Sequence, residues 1–421
     1  MKRTGVVAAL AVLLMAAPAA AAGQQRSDTL RLADAVAAAR AANPMLRAAH
    51  LEADAGTARV SQAGALPDPQ LQVGLMNRPV AGFGTMDPMT MNSIQLTQTL
   101  PWPGKLGYGQ QRSRLLADAA RLDADDAELD LGSRVTSVYY QLAYMDRALT
   151  IMEQTRELLR GFLQVSSAMY SAGAGLQQDV LQAQVAVARM TEEITVMQQD
   201  RVAMAARLNA LLARHATAAV GALELPPVGD TLPGADSLMA QAAGRRPALA
   251  AARQRALAAA AGYREARREL FPDLMLGLSY GQRPRFDNMV SVMVGFSVPL
   301  WAGARQLPLR REMQAMQAVA EAEQRDLGNE TFARLTELRA QAERARNLSQ
   351  LYASAILPQA RAAVDAAFAA YRVGQVNFTS LVDNQMTVNR YAIEGVRLLA
   401  EYHGAVAEIE ALIGADLGGS R

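Results

Sequence analysis

The chain has 421 residues, no cysteine, three histidines and a formal net charge of +2, from 42 basic and 40 acidic side chains. The missing thiol excludes disulfides, thiolate metal sites and cysteine catalysis together, and the near balance of charge gives a nucleic acid nothing to bind. With 51% hydrophobic but only 5% aromatic residues, the composition favours long helices.

At the N-terminus Lys2 and Arg3 precede an apolar run from Val6 to Ala17, followed by Pro18 and the small residues Ala20, Ala21 and Ala22. This layout predicts a secretory signal peptide over residues 1–22, cleaved just before Gly23 or Gln24. No later apolar run reaches the length of a membrane-spanning helix. A short helix over Asp28 to Ala42 and a second from Pro44 to about Leu66 come next.

Residues 70–100 read as a strand hairpin. Its returning arm, Ile94 to Leu100, runs into Pro101-Trp102-Pro103-Gly104-Lys105. The pattern recurs more clearly at 274–298. There Leu274, Leu276, Leu278 and Tyr280 alternate with Met275, Gly277, Ser279 and Gly281, and Val290, Val292, Val294, Phe296 and Val298 alternate with Ser291, Met293, Gly295 and Ser297. Period two over about nine residues is the length and alternation of a transmembrane strand, apolar toward lipid and polar toward a lumen. A soluble sheet has the same alternation, and the duplication favours the membrane reading. Pro69 to Leu75 aligns with Pro272 to Leu278, and Asn43-Pro44 aligns with Arg246-Pro247 at the same offset. Both copies end on a proline, a tryptophan and a glycine, and Trp102 and Trp301, the chain's two tryptophans, stand where an interfacial aromatic belt would lie.

Helix formers run without proline from Leu106 to about Met169, with Leu131, Val138, Met145, Met152 and Leu159 repeating at seven. After a break at Ser171 to Gly175, a second heptad carries Ala183, Met190, Met197, Met204 and Leu211 to about Arg214. Such heptads predict an antiparallel coiled-coil hairpin. At about 1.5 Å per residue the first helix spans roughly 95 Å, and the 176–214 and 44–66 helices, at roughly 58 and 34 Å, match it end to end. The second half repeats this, with a long helix from about Arg305 to Tyr371, bent at Pro358, against Phe378 to Ile413 plus Pro247 to Leu270.

The fold class is therefore mainly α with β: long antiparallel coiled-coil helices plus four strands, in an internal two-fold repeat. The first repeat covers 23–224, with strand hairpin 70–100 and helix hairpin 106–214. Residues 225–243 form a proline-rich linker or equatorial segment. The second repeat covers 244–414, with strand hairpin 274–298 and helix hairpin 305–413, and 415–421 is a frayed tail. A four-stranded sheet cannot close on itself, and open edges are forbidden in lipid, so closure needs other subunits.

Taken with the Leu30-x-Leu32-x-x-Ala35 and Tyr371-Arg372-Val373-Gly374 motifs and Leu381-Val382-Asp383, these features resemble the TolC family of outer-membrane efflux channels. The resemblance spans the mature chain, and the tract Gln98 to Lys105 is similar to that of the branch serving heavy-metal exporters. It implies a homotrimer with a shared twelve-stranded barrel in outer-membrane lipid and a periplasmic helical tube. The tube would meet a periplasmic adaptor and an inner-membrane pump, acting as a passive conduit rather than an enzyme. It also implies a periplasmic tip at the turns bearing Gly173 and Gly374. Family members carry two constricting acidic positions there; here they are Ser380 and Asp383, leaving one carboxylate ring. An alternative for Asp383 is a solvated carboxylate in a helix's first turn. The family's closed-state latch maps to Asp179 and Tyr371. Its arginine position holds Val376, with Arg372 as a substitute.

No catalytic constellation, resident metal or cofactor is expected. His50, His215 and His403 lack metal-ligand spacing and read as surface or packing residues. Asp125-Asp126 reads as a solvated helix face, Asn377-Phe378-Thr379 as a chance glycosylation match, and Arg264, Arg267 and Arg268 as facing periplasm or headgroups. Met76, Met86, Met89 and Met91 crowd the first hairpin, and thioether sulfur suits monovalent copper or silver. Methionine also recurs in the helical seam, where it is packing. The alternative functions are a protein-secretion or drug-efflux channel of the same fold, or a periplasmic coiled-coil adaptor.

Overall fold

The computed structural model describes residues 29–80 and 84–417. The expected signal peptide, residues 1–22, lies outside the described residues, as do residues 418–421 of the tail. The elements run α1 (Leu32–Ala42), α2 (Pro44–Gly64), β1 (Gln70–Met76), β2 (Met91–Leu100), α3 (Lys105–Ser171), α4 (Gln177–Leu211), α5 (Ala235–Arg245), α6 (Pro247–Arg268), β3 (Asp273–Gln282), β4 (Met289–Ser297), α7 (Gln306–Leu351), α8 (Leu357–Arg372) and α9 (Phe378–Ile413). Among the described residues no helix is long and apolar enough to cross a membrane.

α3, at 67 residues, is about 100 Å long. Its heptad residues Leu131, Val135, Leu142 and Leu159 are buried, as are Ala183, Met190 and Ile194 on α4, so the seam is a packed coiled coil. α2 and α4 lie end to end along α3, joined where Asn43 Nδ2 donates to the Leu211 carbonyl at 3.0 Å. In the second half α6 and α9 lie between α3 and α7. The expected bend at Pro358 takes a specific form: a five-residue π-helical turn, Tyr352–Ile356, joins α7 to α8. Proline has no N–H for the regular ladder, and the wider turn absorbs the loss.

Both halves start a helix with Asn43-Pro44 or Arg246-Pro247, but they cap it differently. Asn43 Oδ1 accepts from Met45 N at 2.9 Å, a local N-cap. Arg246 offers no such oxygen, and Asp126 of α3 supplies one instead, accepting from Ala248 N at 3.2 Å. Asp126 also faces Arg246 Nε at 3.7 Å, and Arg246 Nη1 donates to Thr331 Oγ1 at 2.5 Å. Burial raises the Asp126 carboxyl above its ordinary value, and Arg246 pulls it back. The solvated-face expectation therefore holds for exposed Asp125 and is corrected for Asp126, which joins α3, α6 and α7.

The 225–243 stretch packs as a belt against the helices. Arg346 Nε donates to the Gly229 carbonyl at 3.2 Å, Arg339 Nε to that of Pro233 at 2.8 Å and Tyr402 Oη to that of Asp230 at 3.3 Å. The belt ends in α5, where Leu238 and Ala242 are fully buried, as Ala35 and Ala39 are on α1. The tail expectation is corrected at its start: Leu417 N donates to Glu410 Oε1 at 2.9 Å, and Leu417 packs on the core of α5, α7 and α9.

His403 fixes the belt to the helices, and it is a packing residue, whereas His50 and His215 are exposed. Its ring stacks on Tyr140 with centroids 4.6 Å apart, and Nε2 meets the Pro226 carbonyl at 3.1 Å. A carbonyl only accepts, so Nε2 carries the proton and buried Nδ1 is bare and unpartnered. Burial accordingly holds the imidazole below its ordinary 6.5. A depressed histidine contributes stability that is complete above the unfolded value and is lost as pH falls through the folded one. The melting temperature is therefore expected to fall as pH drops below about 6.5, and to fall less steeply in His403→Gln. Parallel curves for the two proteins would assign the loss to other groups.

Candidate functional sites in the sheet and at the helix-turn tip

The four strands form one antiparallel sheet in the order β1-β2-β3-β4. Its register puts Leu71, Leu96, Leu278 and Val292 in one row and Val73, Ile94, Tyr280 and Val290 in the next. The opposite face carries Gln72, Gln95, Ser279 and Ser291, with Gln70, Thr97, Gly277 and Met293 beside them. The apolar face has no cover within the chain: Val73 is 77% exposed and Val292 76%. An apolar surface spanning four strands is far more than a water-facing sheet tolerates. β1 and β4 are both open edges.

A polar joint anchors the sheet to the helices. Lys105, in the first turn of α3, is buried, with Nζ 2.8 Å from Asp273 Oδ1 and 3.3 Å from Glu269 Oε2. The same Asp273 oxygen accepts from Trp102 N at 2.8 Å. β3 of the second repeat thus fixes the strand-to-helix turn of the first. Nothing in the sequence paired these residues, since they lie in different repeats. Trp102 stacks on Phe271 at 5.3 Å and is half-buried, with Arg268 at 5.9 Å from the same Phe271 ring. Trp301 is 79% exposed beside equally exposed Leu300. Of the two expected interface anchors, Trp301 is free to meet another phase and Trp102 is largely taken by packing. Arg264 and Arg267 are exposed.

At the far end of the long helices, the two turns are built alike. Gly173 and Gly374 both have φ of 73°, the left-handed conformation that glycine adopts without strain. Ala174 N donates to the Met169 carbonyl at 2.8 Å, and Gln375 N to that of Ala370 at 2.9 Å. Asn377 Oδ1 accepts from Ser380 N at 3.0 Å and from Ser380 Oγ at 2.7 Å. Asn377 is therefore the N-cap of α9, a local meaning that the Asn-x-Thr match had concealed. Ser380 and Asp383 are both exposed in the first turns of α9.

The structure brings Asp179 and Tyr371 together and leaves Arg372 apart. Tyr371 Oη donates to Asp179 Oδ2 at 3.1 Å, tying α8 to α4, and Thr379 Oγ1 donates to Gln182 Oε1 at 3.0 Å beside it. Below them Tyr371 meets Phe378 edge to face at 5.3 Å, and Phe162 stacks on Phe368 at 5.4 Å. Burial, then the Asp179 charge, pushes the Tyr371 phenol up to about 12. Arg372 is exposed and has no hydrogen bond or ion pair among the described residues. It is the last residue of α8, and within one chain the contact consists of Tyr371 and Asp179.

A sheet with a naked apolar face, set on helical hairpins about 100 Å long, defines an outer-membrane channel subunit. Residues 35–214 and 238–415 match the family described as outer membrane efflux protein, once for each repeat, and the chain belongs to that family. It is 26% identical over 390 residues to the pyoverdine export outer membrane protein OpmQ of Pseudomonas putida, covering 85% of this chain and 80% of that protein. The outer-membrane channel OprN has the same fold, with a TM-score of 0.76 at 20% identity, over 91% of this chain and 90% of that one. So has the outer membrane protein VceC of Vibrio cholerae, with a TM-score of 0.78 at 16% identity, over 91% and 96%. The chain is thus an outer-membrane efflux channel of a tripartite system, with its helices in the periplasm.

The Tyr371–Asp179 bond lends itself to a double-mutant cycle. Tyr371→Phe keeps the ring on Phe378 and drops only the hydroxyl. Combined with Asp179→Ala, it is expected to show a coupling of about 1.5 kcal/mol in thermal or denaturant unfolding, typical of a hydrogen bond to a charged group. Additive effects of the two substitutions would mean that the bond contributes nothing.

Proposed function

We propose that three copies of this chain close the sheet into a twelve-stranded barrel and the helices into one tube. The observation that carries this is the pair of unsatisfied boundaries. β1 and β4 are open edges, which hydrocarbon does not permit. The helical layer also ends in two apolar sides, with Leu51, Val185 and Val196 exposed on α2 and α4, and Met316, Val319 and Phe332 exposed on α7. Joining β4 and α7 of one subunit to β1 and the α2/α4 side of the next satisfies both boundaries at once.

In that assembly the Gln, Ser, Thr and Gly face lines the lumen, and the chain is a passive conduit that performs no chemistry. An adaptor and an inner-membrane pump supply the energy at the periplasmic end. The tip is the gate: the Tyr371–Asp179 bond holds the two helix pairs together, and Asp383 sets a single carboxylate ring near the axis. Three like charges around an axis repel each other and attract cations. Cargo is selected upstream. The Pseudomonas putida relative is named for pyoverdine export, the Gln98 to Lys105 tract is similar to that of heavy-metal exporters, and a wall of small polar residues distinguishes neither.

In planar bilayers the purified protein is expected to give a small, cation-selective conductance. Asp383→Asn is expected to bring the cation-to-anion permeability ratio toward one without abolishing the channel. An unchanged ratio would remove Asp383 from the constriction, and a water-soluble monomer without conductance would overturn the channel reading itself.

A further inference from the structure

On the helical side, the last apolar row of the sheet is Leu100, Leu274 and Phe296. Two residues past Leu100, where the alternation returns to the same face, Trp102 is still held beside β3 by its bond to Asp273. Its ring stacks on Phe271, which is 41% exposed. The apolar face therefore ends in an aromatic pair at the level where the chain leaves the sheet for the helices, the position that interfacial aromatics take in a membrane.

Arg268, the last residue of α6, is seated on that pair. Its guanidinium carbon lies 5.9 Å from the Phe271 centroid and 5.9 Å from that of Tyr108. Its Nε is 3.3 Å from the point a Cβ on Gly104 would occupy, so the turn makes room for it by having no side chain there. The seat holds the stem and both ring faces but satisfies none of the guanidinium donors: Arg268 has no side-chain hydrogen bond or ion pair among the described residues. The acids close to it in sequence are engaged by cations of α3, Glu265 by Arg112 at 3.5 Å and Glu269 and Asp273 by Lys105 at 3.3 and 2.8 Å. Exposed Arg264 and Arg267 stand within one turn of Arg268 on α6, and they too lack an ion pair among the described residues.

We propose that Arg268 binds the phosphate of an anionic phospholipid in the periplasmic leaflet, with Arg264 and Arg267 adding charge beside it. A planar guanidinium offers paired N–H donors that match phosphate oxygens. The rings that position it also meet the upper acyl chain, which continues over the row of Leu100, Leu274 and Phe296. A basic group just past the end of the apolar face fixes the height of the sheet in the bilayer as well as choosing its lipid. The site rests on the reading of the sheet as part of a membrane barrel, and its ligands belong to one subunit.

The chain's two tryptophans supply the test. Trp301→Phe removes an exposed indole and leaves Trp102 as the one tryptophan emitter. The full protein carrying that substitution is reconstituted in phosphatidylcholine vesicles containing increasing fractions of either brominated phosphatidylglycerol or brominated phosphatidylcholine. Both lipids are expected to quench Trp102, the phosphatidylglycerol at an about fivefold lower mole fraction, the weight of one basic side chain at an anionic surface. Adding Arg268→Gln is expected to abolish the preference and keep the quenching. Arg268→Lys, which has the charge without the fork, is expected to retain part of it. Arg253→Gln, exposed about 22 Å farther from the sheet along α6, is expected to retain all of it. Equal quenching by the two lipids before Arg268 is changed, or an undiminished preference in Arg268→Gln, would overturn the site while leaving the sheet in lipid. Quenching by neither lipid would overturn the membrane reading and the site with it.

Discussion

One constraint governs this molecule: its sheet has an apolar face and two open edges, and neither lipid nor water accepts both. Water rejects the face, because rows such as Leu71-Leu96-Leu278-Val292 expose an uninterrupted apolar surface. Lipid rejects the edges, because an unpaired N–H or C=O in hydrocarbon costs several kcal/mol. The single chain is therefore incomplete by construction. The same incompleteness continues down the helices, where α2 and α4 end one side of the layer and α7 the other. The Lys105–Asp273 joint makes the two problems one. It fixes β3 to the first turn of α3, so the sheet edges and the helical sides are held in one register within the chain.

What was legible in the sequence was whatever repeats over short range. Alternation of period two placed both hairpins, and heptads placed α3 and α4, because the burial of a strand face or a helix seam is written every second or every third and fourth residue. The family's positions carried Asp179 and Tyr371 to each other, across 192 residues, which no local pattern does. What stayed hidden was polar and distant. Asp126 looks like one acid of a solvated pair until Ala248 and Arg246 arrive from another helix. His403 looks idle until Pro226 and Tyr140 enclose it. Asn377 carried a false motif over a true cap. In each case the residue's partner, rather than its type, decides its role.

The duplication explains why the halves resemble each other in outline and differ in detail. After duplication the first repeat keeps its short helices at the edge of the layer, while the second has its own enclosed between α3 and α7. Enclosure changes what a cap can be. At the edge, Asn43 caps α2 locally with its own side-chain oxygen, whereas at the enclosed Arg246-Pro247 step a neighbouring helix is close enough to supply the oxygen. A buried cap of that kind adds cross-helix bonding that a local cap lacks, which suits the helix with a neighbour on each side.

The same asymmetry extends to the helices that reach the tip. α3 runs unbroken from the sheet joint to the turn at Gly173, whereas the path from α7 to Gly374 passes through the π turn at Tyr352–Ile356. A π turn interrupts the regular hydrogen-bond ladder and is a natural place for a helix to bend. Below it, α8 reaches the α3/α4 hairpin through the Phe162–Phe368 stack and the Tyr371–Asp179 bond. The stack is non-directional and survives a small rotation, whereas the hydrogen bond does not. That one bond ties the helix that follows the π turn to the hairpin of the unbroken α3. Asp383 sits on α9, the helix paired with α8.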